Sequence, residues 1–265
     1  MPAVDLTRLR RQLNELMAYF QSPIDFHKEL SAIFYIYANH ALSFGDYAQS
    51  RSVIPSYHLP SLLIRQLELD LKPLILEDPQ AALDLVDELW KDSYLEVRKT
   101  ALFILNSVPL EGPTELRSRL ESWVSHELDK DLGIYLLSFG TRRLQSEYPK
   151  SWEAMVESWL THDNPKMIVL GLQGLIEGIK NPDYKNLPVI FRMSSPLFQN
   201  PQHAYSRILQ ELIESLAARS QTETAFFIRQ TLFISQAPEA RKLIKNCLPF
   251  FTEDLQQDLI SALNP

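Results

Sequence analysis

One cysteine, Cys247, occurs in 265 residues, so no disulfide can form within the chain. It is flanked by Leu243, Ile244, Leu248 and Phe250, the setting of a small buried apolar side chain rather than a reactive thiol. Glycine is scarce at 7 residues, and alternating runs of β-branched residues are missing, which excludes a protein built from tight hairpins and sheets. No 18 apolar residues run together, so no membrane span is read and no membrane partner is expected. The first residues, Met1-Pro2-Ala3-Val4-Asp5, lack the apolar core of a signal peptide, and a cytoplasmic location is the expectation. Phosphate-cradling glycine loops, Cys-x-x-Cys pairs, His-Glu-x-x-His helices and nucleophile elbows are all missing. His27, His40, His58, His126, His162 and His203 are dispersed, with no pair at helical ligand spacing, so neither a metal nor a small-molecule cofactor is expected. Positive charge is in deficit, with a formal charge of -7, which opposes a strong sequence-independent grip on nucleic acid.

What fills the chain is leucine, alanine, glutamate, glutamine, lysine and arginine at helical spacing, and an all-α protein follows. A first helix over 5 to 20 places Leu6, Leu9, Leu13, Leu16, Met17 and Phe20 on one face. A second, over 25 to 42, carries Phe26, Leu30, Ile33, Phe34, Tyr37 and Ala41. Phe44 to Pro60 mixes glycine, serine and proline with aromatics and reads as the longest loop, the natural place for a functional one. Helices then follow closely over 61 to 76, 79 to 91, 94 to 108, 113 to 127, 131 to 146, 150 to 161, 165 to 180, 184 to 194, 202 to 219, 222 to 236, 238 to 249 and 253 to 263. Pro79, Pro113, Pro165, Pro182, Pro201 and Pro238 each fall in a first turn, where the missing donor costs nothing. The organisation expected is a single domain over 1 to 265, with N-terminal helices and a loop in 1 to 60 and stacked repeats in 61 to 265.

The repeats rest on a recurring frame. After Asp92, the apolar positions are Val97, Ala101, Ile104, Leu105 and Val108. The same offsets return from Asp163 as Ile168, Leu172, Leu175, Ile176 and Ile179, and from Asn200 as Tyr205, Leu209, Leu212, Ile213 and Leu216. Starts at Asp92, Asp131, Asp163, Asn200 and Ala237 are separated by 39, 32, 37 and 37 residues, the range of two-helix solenoid repeats. Each unit alone exposes an apolar face, so consecutive units must stack, with a concave side lined by the second helices.

Asp92-Ser93-Tyr94-Leu95-Glu96-Val97-Arg98-Lys99-Thr100-Ala101 resembles the core of a HEAT repeat. The resemblance implies a right-handed α-solenoid of antiparallel helix pairs, in which Arg98 bonds to neighbouring repeats. Residues 89 to 102 together with Trp159-Leu160-Thr161-His162-Asp163-Asn164, and the order of elements between them over roughly 60 to 180, resemble the AlkD-type alkylpurine DNA glycosylases, which are HEAT-like solenoids. That family excises N-alkylated purines with an aspartate beside tryptophans and an arginine, the carboxylate stabilising positive charge as the glycosidic bond breaks. Counted from Trp159, the positions of the tryptophan and aspartate fall on Lys130 and Ile134, and that of the arginine on Val169. An isoleucine cannot stabilise a cation. Asp131, three residues away, is the remaining catalytic candidate, either capping its helix or facing the groove. Trp123 and Glu127 share the family's spacing by chance, near the end of the preceding helix.

Lys91, Lys99, Lys130, Arg142, Arg143, Lys166 and Arg207 fall near the starts of the second helices, and Lys99, Lys130, Arg142, Lys166 and Arg207 are the candidates for binding on the concave face. Glu88, Glu96, Asp129 and Asp131 are interspersed, the pattern of solvated helix faces. Phe34, Tyr35, Tyr37, Tyr47 and Tyr57 form an aromatic cluster, read either as a stacking platform or as core. The sequence therefore reads as a noncatalytic HEAT-like binding scaffold for a protein or DNA, with a glycosylase using a displaced acid as the alternative.

Overall fold

The helix-only composition is realised throughout: in the computed structural model, which describes residues 5–39, 54–125, 128–235 and 237–263, every regular element among the described residues is helical. The helices divide into two compact units, Met1–Leu120 with Leu128–Gly140, and Glu121–Glu127 with Thr141–Pro265.

The first unit contains α1 (Leu6–Met17), α2 (Pro23–Tyr37), α3 (Ser61–Glu77), α4 (Pro79–Leu89), α5 (Leu95–Ser107), most of α6 (Thr114–Trp123) and α7 (Lys130–Tyr135). Asp5 starts α1 by accepting the Thr7 and Arg8 amides, and Asp78 starts α4 by accepting that of Ala81, with Pro79 in the first turn. Chain neighbours pack as pairs, α1 on α2, α3 on α4 and α4 on α5, while α1 also packs on α3, α3 on α5 and α2 on α4. Arg119 joins α6 to α4 with a fork on Asp87, both bonds at 2.8 Å.

The second unit contains α8 (Arg142–Glu147), α9 (Pro149–Leu160), α10 (Pro165–Lys180), α11 (Leu187–Gln199), α12 (Ser206–Arg219), α13 (Gln221–Ile234), α14 (Pro238–Cys247) and α15 (Glu253–Leu263). Here α10 packs on α12 and α12 on α14, while α9 packs on α11, α11 on α13 and α13 on α15. Contact thus runs between elements two apart as well as between neighbours. The recurring frame accounts for it: all of Val97, Ala101, Ile104, Leu105, Val108, Ile168, Leu172, Leu175, Ile176, Ile179, Tyr205, Leu209, Leu212, Ile213 and Leu216 are buried.

Pro201 opens no α-helix: a single 3-10 turn over His203–Tyr205 precedes α12, which begins at Ser206. Two longer stretches also depart from the periodic reading. The helix expected over 131 to 146 ends at Tyr135, continues as a π-helical turn over Leu136–Gly140, and resumes as α8. Gly140 lies close to α5: a Cβ there would sit 2.9 Å from Leu102 Cδ2, so that leucine would have to shift to admit one. The second departure is at Pro182, which starts no helix. Residues 181–186 form a turn, and α11 begins only at Leu187. Asn181 is committed elsewhere: its Nδ2 donates to buried Gln145 at 2.7 Å and its Oδ1 accepts the Asp183 amide. Arg219 holds the same turn by donating to the carbonyls of Ile179, Asn181 and Tyr184.

Two predictions follow from the packing. Gly178 faces the fully buried Trp152, whose Cη2 would lie 2.6 Å from an added Cβ. Glycine to alanine inside a helix ordinarily gains about 1 kcal/mol, but in Gly178→Ala the overpacking reverses the sign and costs roughly 1–3 kcal/mol; thermal denaturation should show a lower midpoint, and a higher one contradicts the packing. Cys247 is fully buried and burial pushes its thiol up to about 12, so an aromatic disulfide reagent at pH 8 should modify it in the unfolded chain and leave the native protein unmodified.

Candidate functional site

The turn Trp90-Lys91-Asp92-Ser93-Tyr94 sets the start of α5. Asp92 Oδ1 accepts the Tyr94 amide at 2.6 Å, and Asp92 Oδ2 meets His27 Nε2 from α2. The other nitrogen of His27 lies 3.4 Å from Glu88 Oε1, which holds α2 against the end of α4. Arg98 donates to the Asp92 carbonyl and its guanidinium lies 5.4 Å from the Trp90 ring centre. Among the described residues its bond is made within its own turn, where the resemblance implies one to a neighbouring repeat.

Glu96, in the first turn of α5, is 9% exposed and organises the wall beside it. Its carboxylate accepts Ser56 Oγ at 2.6 Å, the Tyr57 amide at 3.0 Å and the His58 amide at 2.9 Å. The Leu95 amide donates to Pro55 O and the Asn39 amide to Tyr57 O, so residues 54–60 are laced between α2 and α5. His58 takes a left-handed backbone conformation, φ 52°, which a non-glycine residue keeps only where its surroundings enforce it. Tyr57 stacks on Tyr94, with centroids 4.0 Å apart, and meets Phe34 edge-on.

This laced segment, the end of α2, α3, the start of α5 and α7 enclose an open groove of about 1540 Å³. Four tyrosines line it, Tyr35, Tyr57, Tyr94 and Tyr135, together with Arg65, Lys99, Glu68, Glu96 and Asp131. Burial, then the charge of Asp92, pushes the Tyr57 hydroxyl up to about 12; burial and Glu68 do the same to Tyr135. Both therefore remain neutral rings with a proton to donate. Burial also raises the Glu68 carboxyl, against the opposing pull of Lys72.

Neither a family model nor a curated protein matches this chain. The residues of the groove stand on their own chemistry.

Of the residues singled out from sequence, Asp131, Lys99, Glu96, Tyr35 and Tyr57 border this groove. Helix capping at α7 falls to Asp129, whose side chain accepts the Asp131 and Leu132 amides, so the Asp131 carboxylate is exposed and, among the described residues, has no hydrogen bond or ion pair. Lys99 lies with Nζ 4.6 Å from the Tyr135 ring centre. Lys130 is exposed beside Asp131. Arg142, Lys166 and Arg207 are exposed in the second unit, on α8, α10 and α12, and Arg207 pairs with Glu211. Lys91 and Arg143 pair with Glu88 and Glu147.

The aromatic cluster separates. Phe34 is core, Tyr37 donates to Gln12, Tyr35 is exposed in the groove, and Tyr47 lies outside the described residues. So do Glu127 and residues 44–53 of the expected loop, while its last part, 54–60, is the laced wall. Sequence reasoning passed over Glu68 and Tyr135, and read Tyr94 and Glu96 only as parts of the repeat motif and a solvated face. Glu96 in particular reads as one more solvated charge, because its partners lie about forty residues earlier in the chain.

Glu96→Ala removes the acceptor of three donors, a loss of about 1–3 kcal/mol for each group left buried and unsatisfied. Amide hydrogen exchange should quicken over 54–60 and stay unchanged over α9 to α15; unchanged exchange over 54–60 contradicts the role given to Glu96.

Proposed function

We propose that the protein is a noncatalytic binding scaffold, each unit a HEAT-like stack of antiparallel helix pairs and the chain a divergent relative of the AlkD-type proteins, and that the tyrosine-lined groove of the first unit holds a segment of polypeptide. The motif at 92 to 101 and the contacts between helices two apart support the HEAT-like part of this reading. The observation that carries the binding role is the groove itself. Its volume, about 1540 Å³, exceeds the roughly 300–1,000 Å³ of a small-molecule pocket, which favours an extended ligand. Tyrosine and arginine are the residues that anchor protein interfaces, and both signs of charge are present to match a polypeptide's own. A phosphate backbone is disfavoured, since Glu68 and Asp131 would repel it and the chain carries a formal charge of -7.

One observation favours the second reading, a DNA glycosylase with a displaced acid: the Asp131 carboxylate borders a groove lined with aromatic rings. Against it, Ile134 and Val169 occupy the positions where the family's acid and arginine would fall. The two readings separate in one assay. Purified protein is incubated with duplex DNA carrying a positively charged alkylpurine, and abasic sites are counted. The scaffold reading expects none above the spontaneous background; base release that disappears in Asp131→Asn overturns it. Duplex binding at low salt should likewise be undetectable, and affinity that falls linearly with the logarithm of salt concentration would move the reading to a nucleic acid scaffold.

A further inference from the structure

The outer face of α3 carries apolar side chains that the fold does not use. Leu63, Leu67, Leu71 and Ile75 form its inner face and are buried. On the opposite side Leu62, Leu69 and Leu76 are 45%, 51% and 64% exposed. A helix packed on one side needs one apolar stripe, so the second is surplus to folding. Seven-residue spacing sets the three leucines in a single row along the helix, roughly 21 Å from end to end at a rise of about 1.5 Å per residue. Arg65 and Lys72 each follow a leucine of the row by three residues and so share its face. Both are exposed and, among the described residues, neither makes a salt bridge. The acids between them are placed elsewhere: Glu68 lines the groove, and Asp70 accepts from Gln66 at 2.8 Å. The row from Leu62 to Leu76 therefore presents leucines and two cations, with no carboxylate among them.

We infer that this row is a docking seam for an amphipathic, acidic helix of a partner polypeptide. Such a helix seats apolar side chains in the hollows between successive leucines, the packing that a seven-residue repeat offers to a second helix. Carboxylates on its flank supply Arg65 and Lys72 with the counter-charge that α3 withholds. A partner helix of about 15 residues spans the row. Charge decides against a second copy paired seam to seam, because the cations of one copy would lie against those of the other. A single row of leucines is also a narrow strip, the shape of a helix-binding site rather than of a face laid into lipid. The seam goes beyond the groove reading and does not require it: only Leu62 and Arg65, at its first end, also line the groove.

The probes are two helical peptides of three heptads, with leucine at both apolar positions, that differ only in carrying glutamate or lysine at the flanking positions. Each is titrated by fluorescence polarisation against the full chain, against Leu69→Gln, and against the double variant Arg65→Glu with Lys72→Glu. The replaced side chains are exposed, so every variant should keep the wild-type melting temperature; Leu76→Gln replaces Leu69→Gln should that one lower it. The glutamate peptide should bind about tenfold more tightly than the lysine peptide, weaken about tenfold in Leu69→Gln, and lose its preference to the lysine peptide in the double variant. Equal binding of the two peptides, a preference that charge reversal leaves unchanged, or no binding of either overturns the seam. So does a concentration-dependent dimer, or capture by anionic vesicles, that Leu69→Gln abolishes. Affinity that falls in Tyr35→Ala and not in Leu69→Gln places the peptide in the groove, which supports the groove reading and overturns the seam.

Discussion

The first unit depends on α5 being buried nearly all round. Glu96, Val97, Thr100, Ala101, Leu102, Phe103, Ile104 and Leu105 are all removed from solvent, more than a single apolar stripe can account for. A helix of that kind cannot be covered by one neighbour. It requires α4 on one side, α3 on another and the π turn on a third, and those are its contacts. The same holds for α10, buried over Gly171, Leu172 and the run from Gly174 to Ile179, which packs on α9, α11 and α12. Surrounding the inner helices dictates contact between elements two apart, and the close approaches at Gly140 and Gly178 are its local consequences.

Burying α5 to its first turn also carries a carboxylate inward. Glu96 resolves its desolvation by taking donors from Ser56, Tyr57 and His58, which fixes the segment leading into α3 as a wall rather than a free loop. The left-handed backbone at His58 is the strain this lacing imposes. The tyrosines then follow: Tyr57 is drawn onto Tyr94 at the head of α5, and Tyr135 sits within reach of Lys99. The groove is therefore a product of how the core closes, and the binding role proposed for it draws on the same residues.

Most of the helical framework was legible because it depends on local periodicity and on caps. Pro79, Pro165 and Pro238 do open helices, and α10 runs over 165 to 180 as its spacing dictates. Where a distant partner decides, the sequence misleads. The π turn ends at Gly140, which packs on Leu102, thirty-eight residues earlier, and the turn at Pro182 is held by the bonds of Asn181 to Gln145 and to Arg219. At the groove, Asp131 and Lys99 were visible as charges near helix starts, but lining one groove with Tyr135 and Glu68 needs three helices at once. Asp129 rather than Asp131 serves as the cap, a difference of two residues that no periodicity resolves.

The claim on which the functional account turns is that a ligand seats in the first unit's groove. Hydrogen exchange with and without a peptide selected on the full chain from a random dodecapeptide display library tests it most directly. The account predicts new protection over 54–60, the start of α5 and α7. Protection confined to α9 to α15, with the groove unchanged, would contradict it.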